Sequence, residues 1–291
     1  MNKTPPSPPP ADIKLSCADF TFPLLPHQRS LELIRDLGFE GVDIGLFEGR
    51  SHLRPGEVLR TPSRDAADLR RRCEDLGLRI ADIFLAPGTD VGSLSPNDPD
   101  PANQAASRDI FLRALEFSLA CGAEHFSVLP GILWPGEDRQ ASLARSVEGL
   151  AWRAEQAEAA GLPLSCEAHV GSVVASPDEV LELLEAVPSL GLILDYGHFV
   201  VPGYTAEEIE RLHPRAVHFH ARGACRDRIQ VVAEENTIDF PRLARSLVRS
   251  GYRGWVCVEY VWTQKWDCNR VDNLSETIML RDVLRTALAQ S

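Results

Sequence analysis

From Asp12 onward the chain alternates between two hydrophobic patterns. Short apolar, β-branched runs bounded by turn residues are separated by longer stretches with apolar residues every three or four positions. The first pattern predicts buried strands and the second amphipathic helices. Strands are expected at Ile13–Cys17, Gly41–Leu46, Leu78–Leu85, Ala123–Leu129, Pro163–His169, Gly191–Asp195, Ala216–His220 and Gly254–Val261. Helices are expected at His27–Leu37, Asp65–Leu76, Gln104–Cys121, Arg139–Ala160, Ala206–Leu212, Pro241–Ser250 and Asn273–Ala289, with another opening at the cap signal Ser176-Pro177-Asp178-Glu179. Gly38, Gly77, Gly122 and Gly161 stand where the first four helices should stop. Phe47–Thr61 reads as a loop. Pro87–Asn103, rich in Pro, Asp and Ser, is too polar for a core and long for a connection, the profile of a functional loop.

Strands alternating with helices imply a parallel sheet. Eight such units in about 280 residues fit a closed (β/α)8 TIM barrel of the α/β class, expected as a single catalytic domain over residues 12–291. A doubly wound open sheet is the alternative, but no GxGxxG turn follows any strand.

Composition narrows the function classes. The net charge is −12, against a surface that coats nucleic acid. No apolar run approaches the roughly 20 residues needed to span a bilayer. Residues 1–11 are proline-rich without an apolar segment, so a disordered leader is expected there rather than a secretory signal. The seven cysteines are scattered and never form a CxxC pair, the pattern of reduced thiols in a cytoplasmic protein.

The chemistry concentrates between Leu164 and Glu259. Four of the expected strands end in residues able to bind a divalent metal: Cys166-Glu167-Ala168-His169, Asp195-Tyr196-Gly197-His198, His218-Phe219-His220 and Val258-Glu259. A carboxylate or imidazole at the end of a buried strand is costly unless something pairs with it. Any one of these could be a helix cap or a salt-bridge partner. Four in register, on strands that would be neighbours, point to a shared partner. In a barrel these positions lie on the C-terminal face, where TIM-barrel enzymes place their catalytic groups. Glu167, Asp195, His220 and Glu259 together form a hard, oxygen-rich set suited to Mn2+, with Co2+ or Mg2+ as alternatives. His218 shares the strand parity of His220 and is expected inside the barrel beneath it.

These segments resemble the xylose-isomerase-like TIM-barrel superfamily, whose members are often labelled sugar phosphate isomerases or epimerases. The likeness covers nearly the whole chain after the leader. Similarity to ketose 3-epimerases implies one divalent metal on Glu167, Asp195, His220 and Glu259, with Glu167 and Glu259 also moving the substrate proton. It implies substrate contacts for His198, three residues after the aspartate, and for Arg226, six after the metal histidine; a solvated loop arginine is the plainer reading of Arg226. The sequence departs from those enzymes at Ala221-Arg222-Gly223, where a Gly-Glu pair is usual. The segment Glu167-Ala-His169-Val-Gly-Ser is closer to inosose dehydratases, which carry a Lys where Arg222 stands. The resemblance thus implies an isomerase or epimerase of a ketose or related polyhydroxy carbonyl compound. Its alternative is a lyase acting on a keto-cyclitol, keto-sugar or keto-glycoside, with His169 as the acid–base group. Both reactions begin with proton abstraction beside a polarised carbonyl. His169 could also do no more than orient Glu167. Endonuclease IV shares the fold but needs further histidines on early strands and an Asp-x-His that is missing after strand seven. A non-enzymatic sugar-binding relic should have lost a glutamate, and both are present. The expected partner is a small sugar-like molecule, with no nucleic acid and no membrane; relatives in this superfamily are often homo-oligomers.

Aromatic residues complete the picture. Trp134, Trp262 and Trp266 fall in expected top-face loops, and Phe47, Phe84 and Tyr260 near strand ends. They could wall a sugar ring, and Trp134 is taken as a substrate contact. No glycine-rich phosphate cradle is present.

Overall fold

Strands apolar on both faces must be covered on both, and a parallel sheet closed on itself inside a ring of helices does this without leaving an edge. The computed structural model describes residues 12–291 and has this architecture. The strands are β1 (Ile13–Ala18), β2 (Gly41–Phe47), β3 (Arg79–Ala86), β4 (Phe126–Val128), β5 (Leu164–Glu167), β6 (Gly191–Asp195), β7 (Ala216–Ala221) and β8 (Gly254–Val258). They form a closed barrel in chain order, a (β/α)8 TIM barrel. All pairs are parallel, and β8 returns to β1 with Ile13 opposite Gly254. The expected leader, residues 1–11, lies outside the described residues.

Several boundaries differ from expectation for local reasons. The helix expected from Gln104 begins at Pro101, because the Asp100 carboxylate caps the Ala102 amide. It ends at Gly122, whose φ of 77° is a left-handed conformation that costs glycine nothing. The loop after β2 contains a single helical turn, Pro55–Val58. β5 stops at Glu167, so His169 stands in the following loop. A short helix, Tyr196–Val200, follows β6 directly, and Asp195 caps it by accepting the Gly197 amide at 2.7 Å.

The apolar core lies between the barrel and its helices. Inside the barrel, where branched aliphatic layers are usual, this chain places a polar network. Ser16, Asp43, Asp82, Ser127 and His218 are all 0–1% exposed. Asp43 accepts from the Ser16 hydroxyl at 2.6 Å and faces His218 Nε2 at 2.6 Å. Asp82 pairs with His125 at 2.8 Å and accepts from Ser127 at 2.5 Å. The His125 and His218 rings stack with centroids 5.6 Å apart, joining the two groups. The pairing register shifts beside both Asp43 and His218, so the network sits where the ladders are irregular. Among the described residues no helix is long and apolar enough to cross a membrane. All seven cysteines are buried and free.

One histidine outside the barrel makes stability depend on pH. His213 is buried; its Nε2 lies 2.6 Å from the Tyr196 hydroxyl and its Nδ1 3.2 Å from Ser246 Oγ. Burial pushes its pKa down to about 4. The folded state therefore holds it neutral, while the unfolded chain protonates it near 6.5. Its contribution is complete above about 6.5 and is lost as the pH falls toward 4, with a slope of at most about 1.4 kcal/mol per pH unit. Urea unfolding between pH 7 and pH 4.5 should show a shallower decline for His213→Gln than for the parent; parallel curves would refute this assignment.

Candidate active site

The C-terminal ends of β5 to β8 close one end of a cavity that opens to solvent. Glu167 ends β5, Asp195 ends β6, His220 lies near the end of β7 and Glu259 directly follows β8. All four are buried. His220 Nδ1 is 2.7 Å from Glu167 Oε1 and 3.4 Å from Glu259 Oε2. Below, Asp43 approaches His220 Nε2 at 3.6 Å, so carboxylates bracket the ring.

Burial and neighbours act in opposite senses on these groups. For Glu167 burial favours the neutral acid, but the hydrogen bond and charge of His220 outweigh it and hold the carboxyl down at about 2. For Glu259 burial prevails over the attraction of His220 and Arg222, and the carboxyl rises to about 7. His220 rises well above its ordinary value: burial works against the charge, but Glu259, Asp43 and Glu167 overcome it. Asp43 is held well below the carboxylate range by His218 and His220 despite its burial.

The donors suit one divalent ion. Glu167, His220 and Glu259 offer ligand atoms all within 4.8 Å of one another, and Glu167, Asp195 and His198 form a second such set sharing Glu167. Glu259 Oε2 has no hydrogen-bond partner among the described residues. Asp195 is engaged differently: its Oδ2 accepts from Arg222 Nη2 at 2.5 Å. Arg222 Nη2 also lies 3.4 Å from Glu259 Oε2 and 3.1 Å from His198 Nε2.

Two histidines border the set. At His198 the Val170 amide donates to Nδ1 at 3.2 Å, while Arg222 faces Nε2. Both ring nitrogens thus meet donors, although a neutral imidazole accepts at only one. Protonation would worsen this, and burial already lowers the His198 pKa to about 4. At His169 the Val170 carbonyl, which can only accept, takes Nδ1 at 2.9 Å. Nδ1 therefore carries the proton, and the buried Nε2, which has no partner among the described residues, presents a lone pair. Burial also lowers its pKa, so His169 rests as a neutral acceptor.

Aromatic and aliphatic groups, among them Phe20, Phe47, Phe84 and Trp262, form the walls. Phe20 fits because β2 carries glycine at residue 45, where a Cβ would stand 2.6 Å from the Phe20 ring. Of the residues expected to contact substrate, His169, His198 and Arg222 line this cavity. Trp134 and Arg226 do not. The Trp134 indole donates to Asn97 at 3.1 Å in the loop region after β4. Arg226 is exposed, its guanidinium against Gly203. Arg222, four residues nearer β7, stays over the barrel mouth. Two charged lining residues were missed by sequence reasoning: Arg50 after β2 and Lys265 after β8. Asp43 and Asp82 were missed as well, although a single aspartate inside each of two apolar strands was a readable signal.

A closed parallel barrel with carboxylates and imidazoles convergent at its C-terminal mouth defines a TIM barrel with the layout of an enzyme. The chain belongs to the xylose isomerase-like TIM barrel family, whose model matches residues 31–283. It is 29% identical over 201 residues to 2-oxo-tetronate isomerase of Pectobacterium atrosepticum, covering 66% of this chain and 75% of that protein. It is 25% identical over 268 residues to the rhizopine catabolism protein MocC of Rhizobium meliloti, covering 80% and 74%. In structure it resembles D-psicose 3-epimerase of Clostridium cellulolyticum H10, with a TM-score of 0.74, 16% identity, and coverage of 94% of this chain and 99% of that one.

Proposed function

We propose that this protein is an isomerase or epimerase of a ketose or related polyhydroxy carbonyl compound. The observation that carries the reading is the convergence of Glu167, His220 and Glu259, with Asp195 alongside, at the closed end of a partly apolar cavity. Relatives named 2-oxo-tetronate isomerase support the reaction class. Glu167, Asp195, His220 and Glu259 would hold a divalent ion, Mn2+ by preference with Co2+ or Mg2+ as substitutes, and such an ion would polarise the substrate carbonyl.

The chain's own groups account for the proton movement. A carboxylate, Glu167 or Glu259, removes the proton from the carbon beside the carbonyl, and the electron pair moves to the carbonyl oxygen, giving an enediolate. Return of a proton to the opposite face of the same carbon yields the epimer; return to the former carbonyl carbon, with the hydroxyl proton passing to the former carbonyl oxygen, yields the isomer. Arg222, buried between Asp195 and Glu259, places a fixed positive charge beside the developing negative one. His169 Nε2 accepts from a substrate hydroxyl, and the aromatic walls limit water around the enediolate. The resting tautomer of His169 bears on the lyase alternative, in which His169 would have to arrive with a proton on Nε2. The Val170 carbonyl beside Nδ1 supports a resting tautomer with the proton there.

The test is NMR of a panel of ketoses and keto-cyclitols in D2O with Mn2+-loaded protein, the chelator-stripped protein serving as control. Deuterium beside the carbonyl with an epimer or isomer appearing, lost on stripping and restored by Mn2+, is expected. An unsaturated or deoxy-dicarbonyl product would replace the isomerase reading with a lyase.

A further inference from the structure

We infer that the compound this cavity takes carries an anionic group, a carboxylate or a phosphate, held by Arg50 and Lys265 at the mouth. The inference rests on the reading of the cavity as a site for a polyhydroxy carbonyl compound and narrows its substrate class. Arg50 follows β2 and Lys265 follows β8, the two strands that flank β1, so the cations reach the cavity from one side of the barrel. Neither side chain makes an ion pair or hydrogen bond with any described residue. Each lies instead over an aromatic ring: Arg50 Cζ is 4.6 Å from the Phe47 centroid and Lys265 Nζ is 4.2 Å from that of Trp266. A ring face holds a cation in place without neutralising it.

The charges explain why these two remain available. At the closed end three carboxylates, Glu167, Asp195 and Glu259, face one guanidinium, Arg222. Two of those carboxylates engage Arg222, whereas Arg50 and Lys265 are the cations of the lining that no carboxylate pairs among the described residues. Asp90, the acid that feels the charge of Lys265, makes no ion pair with it; its Oδ1 accepts the Gly92 and Ser93 amides at 2.9 Å. In a protein of net charge −12, two unpaired cations beside a cavity with aromatic walls favour an anion entering it.

The experiment is calorimetric titration of the Mn2+-loaded protein with three compounds of equal carbon number: a neutral ketose, its 2-oxo acid and its phosphate ester. Parent, Arg50→Gln, Lys265→Gln and the double variant are compared, with metal content and thermal midpoint measured for each. One of the two anions should bind about tenfold more tightly than the ketose, weaken with added salt, and lose its advantage in the double variant. Metal content and midpoint should not change, because both side chains are exposed. Whichever anion wins identifies the group as carboxylate or phosphate. Equal affinity for ketose and anions, no binding by either anion, or a preference that survives both substitutions would overturn the inference. A preference for an anion without deuterium exchange would leave the inference standing and remove the isomerase reading. Exchange of a neutral ketose, unaltered in the double variant and with no gain for either anion, would do the reverse.

Discussion

Replacing Glu167 by glutamine is expected to lower turnover by about three orders of magnitude. Two losses combine in this substitution. The carboxylate that can take the substrate proton becomes an amide with negligible basicity. Its Oε1, which faces His220 Nδ1 at 2.7 Å, also ceases to be a negative donor in the proposed metal set. Measuring bound Mn2+ by mass spectrometry alongside deuterium exchange separates the two. Retained metal with lost exchange assigns Glu167 the role of base. Lost metal and lost exchange together, with excess Mn2+ restoring only occupancy, assign it both roles. Exchange within a few-fold of the parent would remove Glu167 from the mechanism. The same comparison for Glu259→Gln tests the second carboxylate, whose buried Oε2 is without a hydrogen-bond partner among the described residues.

Replacing Asp43 by alanine is expected to destabilise the fold by about 3–5 kcal/mol, the usual consequence of removing one partner of a buried charged pair. Asp43 is the acceptor for Ser16, faces His218 Nε2 at 2.6 Å and lies 3.6 Å below His220 Nε2. Alanine leaves a buried hydroxyl and a buried imidazole without their acceptor and opens space inside the barrel. Asparagine keeps the shape and one acceptor and should cost less. Urea unfolding with chelator present separates this effect from any change in metal binding. A loss below about 1 kcal/mol for Asp43→Ala would show that the interior network does not hold the barrel together.

The strand–helix rhythm was readable because its cause is local. A parallel barrel buries both faces of each strand, so the strands appear as short apolar runs, and the helices between them show their own period. Residues at strand ends such as Glu167 and Asp195 were readable for a related reason: a charge that terminates an apolar run is costly and therefore conspicuous. Arg226 and Trp134 were misplaced because both were assigned from loops, where a few residues of chain do not specify direction. Arg222, on the first residue past β7, is held over the mouth by the strand it follows. Asp43 and Asp82 escaped notice although they stand out in apolar strands, because what they pair with, His218 and His125, lies on distant stretches of chain.

By itself, then, the sequence determined the number of units, their order and the residues offered at the ends of β5 to β8, since periodicity and strand termination depend on near neighbours. Tertiary structure alone decided which atoms meet. It set His220 between Glu167 and Glu259, seated Arg222 on Asp195, laid His169 Nδ1 against the Val170 carbonyl, and brought Arg50 and Lys265 to one cavity from positions more than two hundred residues apart. Those contacts follow from barrel closure, which brings the first strands beside the last and has no counterpart in any local window of the chain.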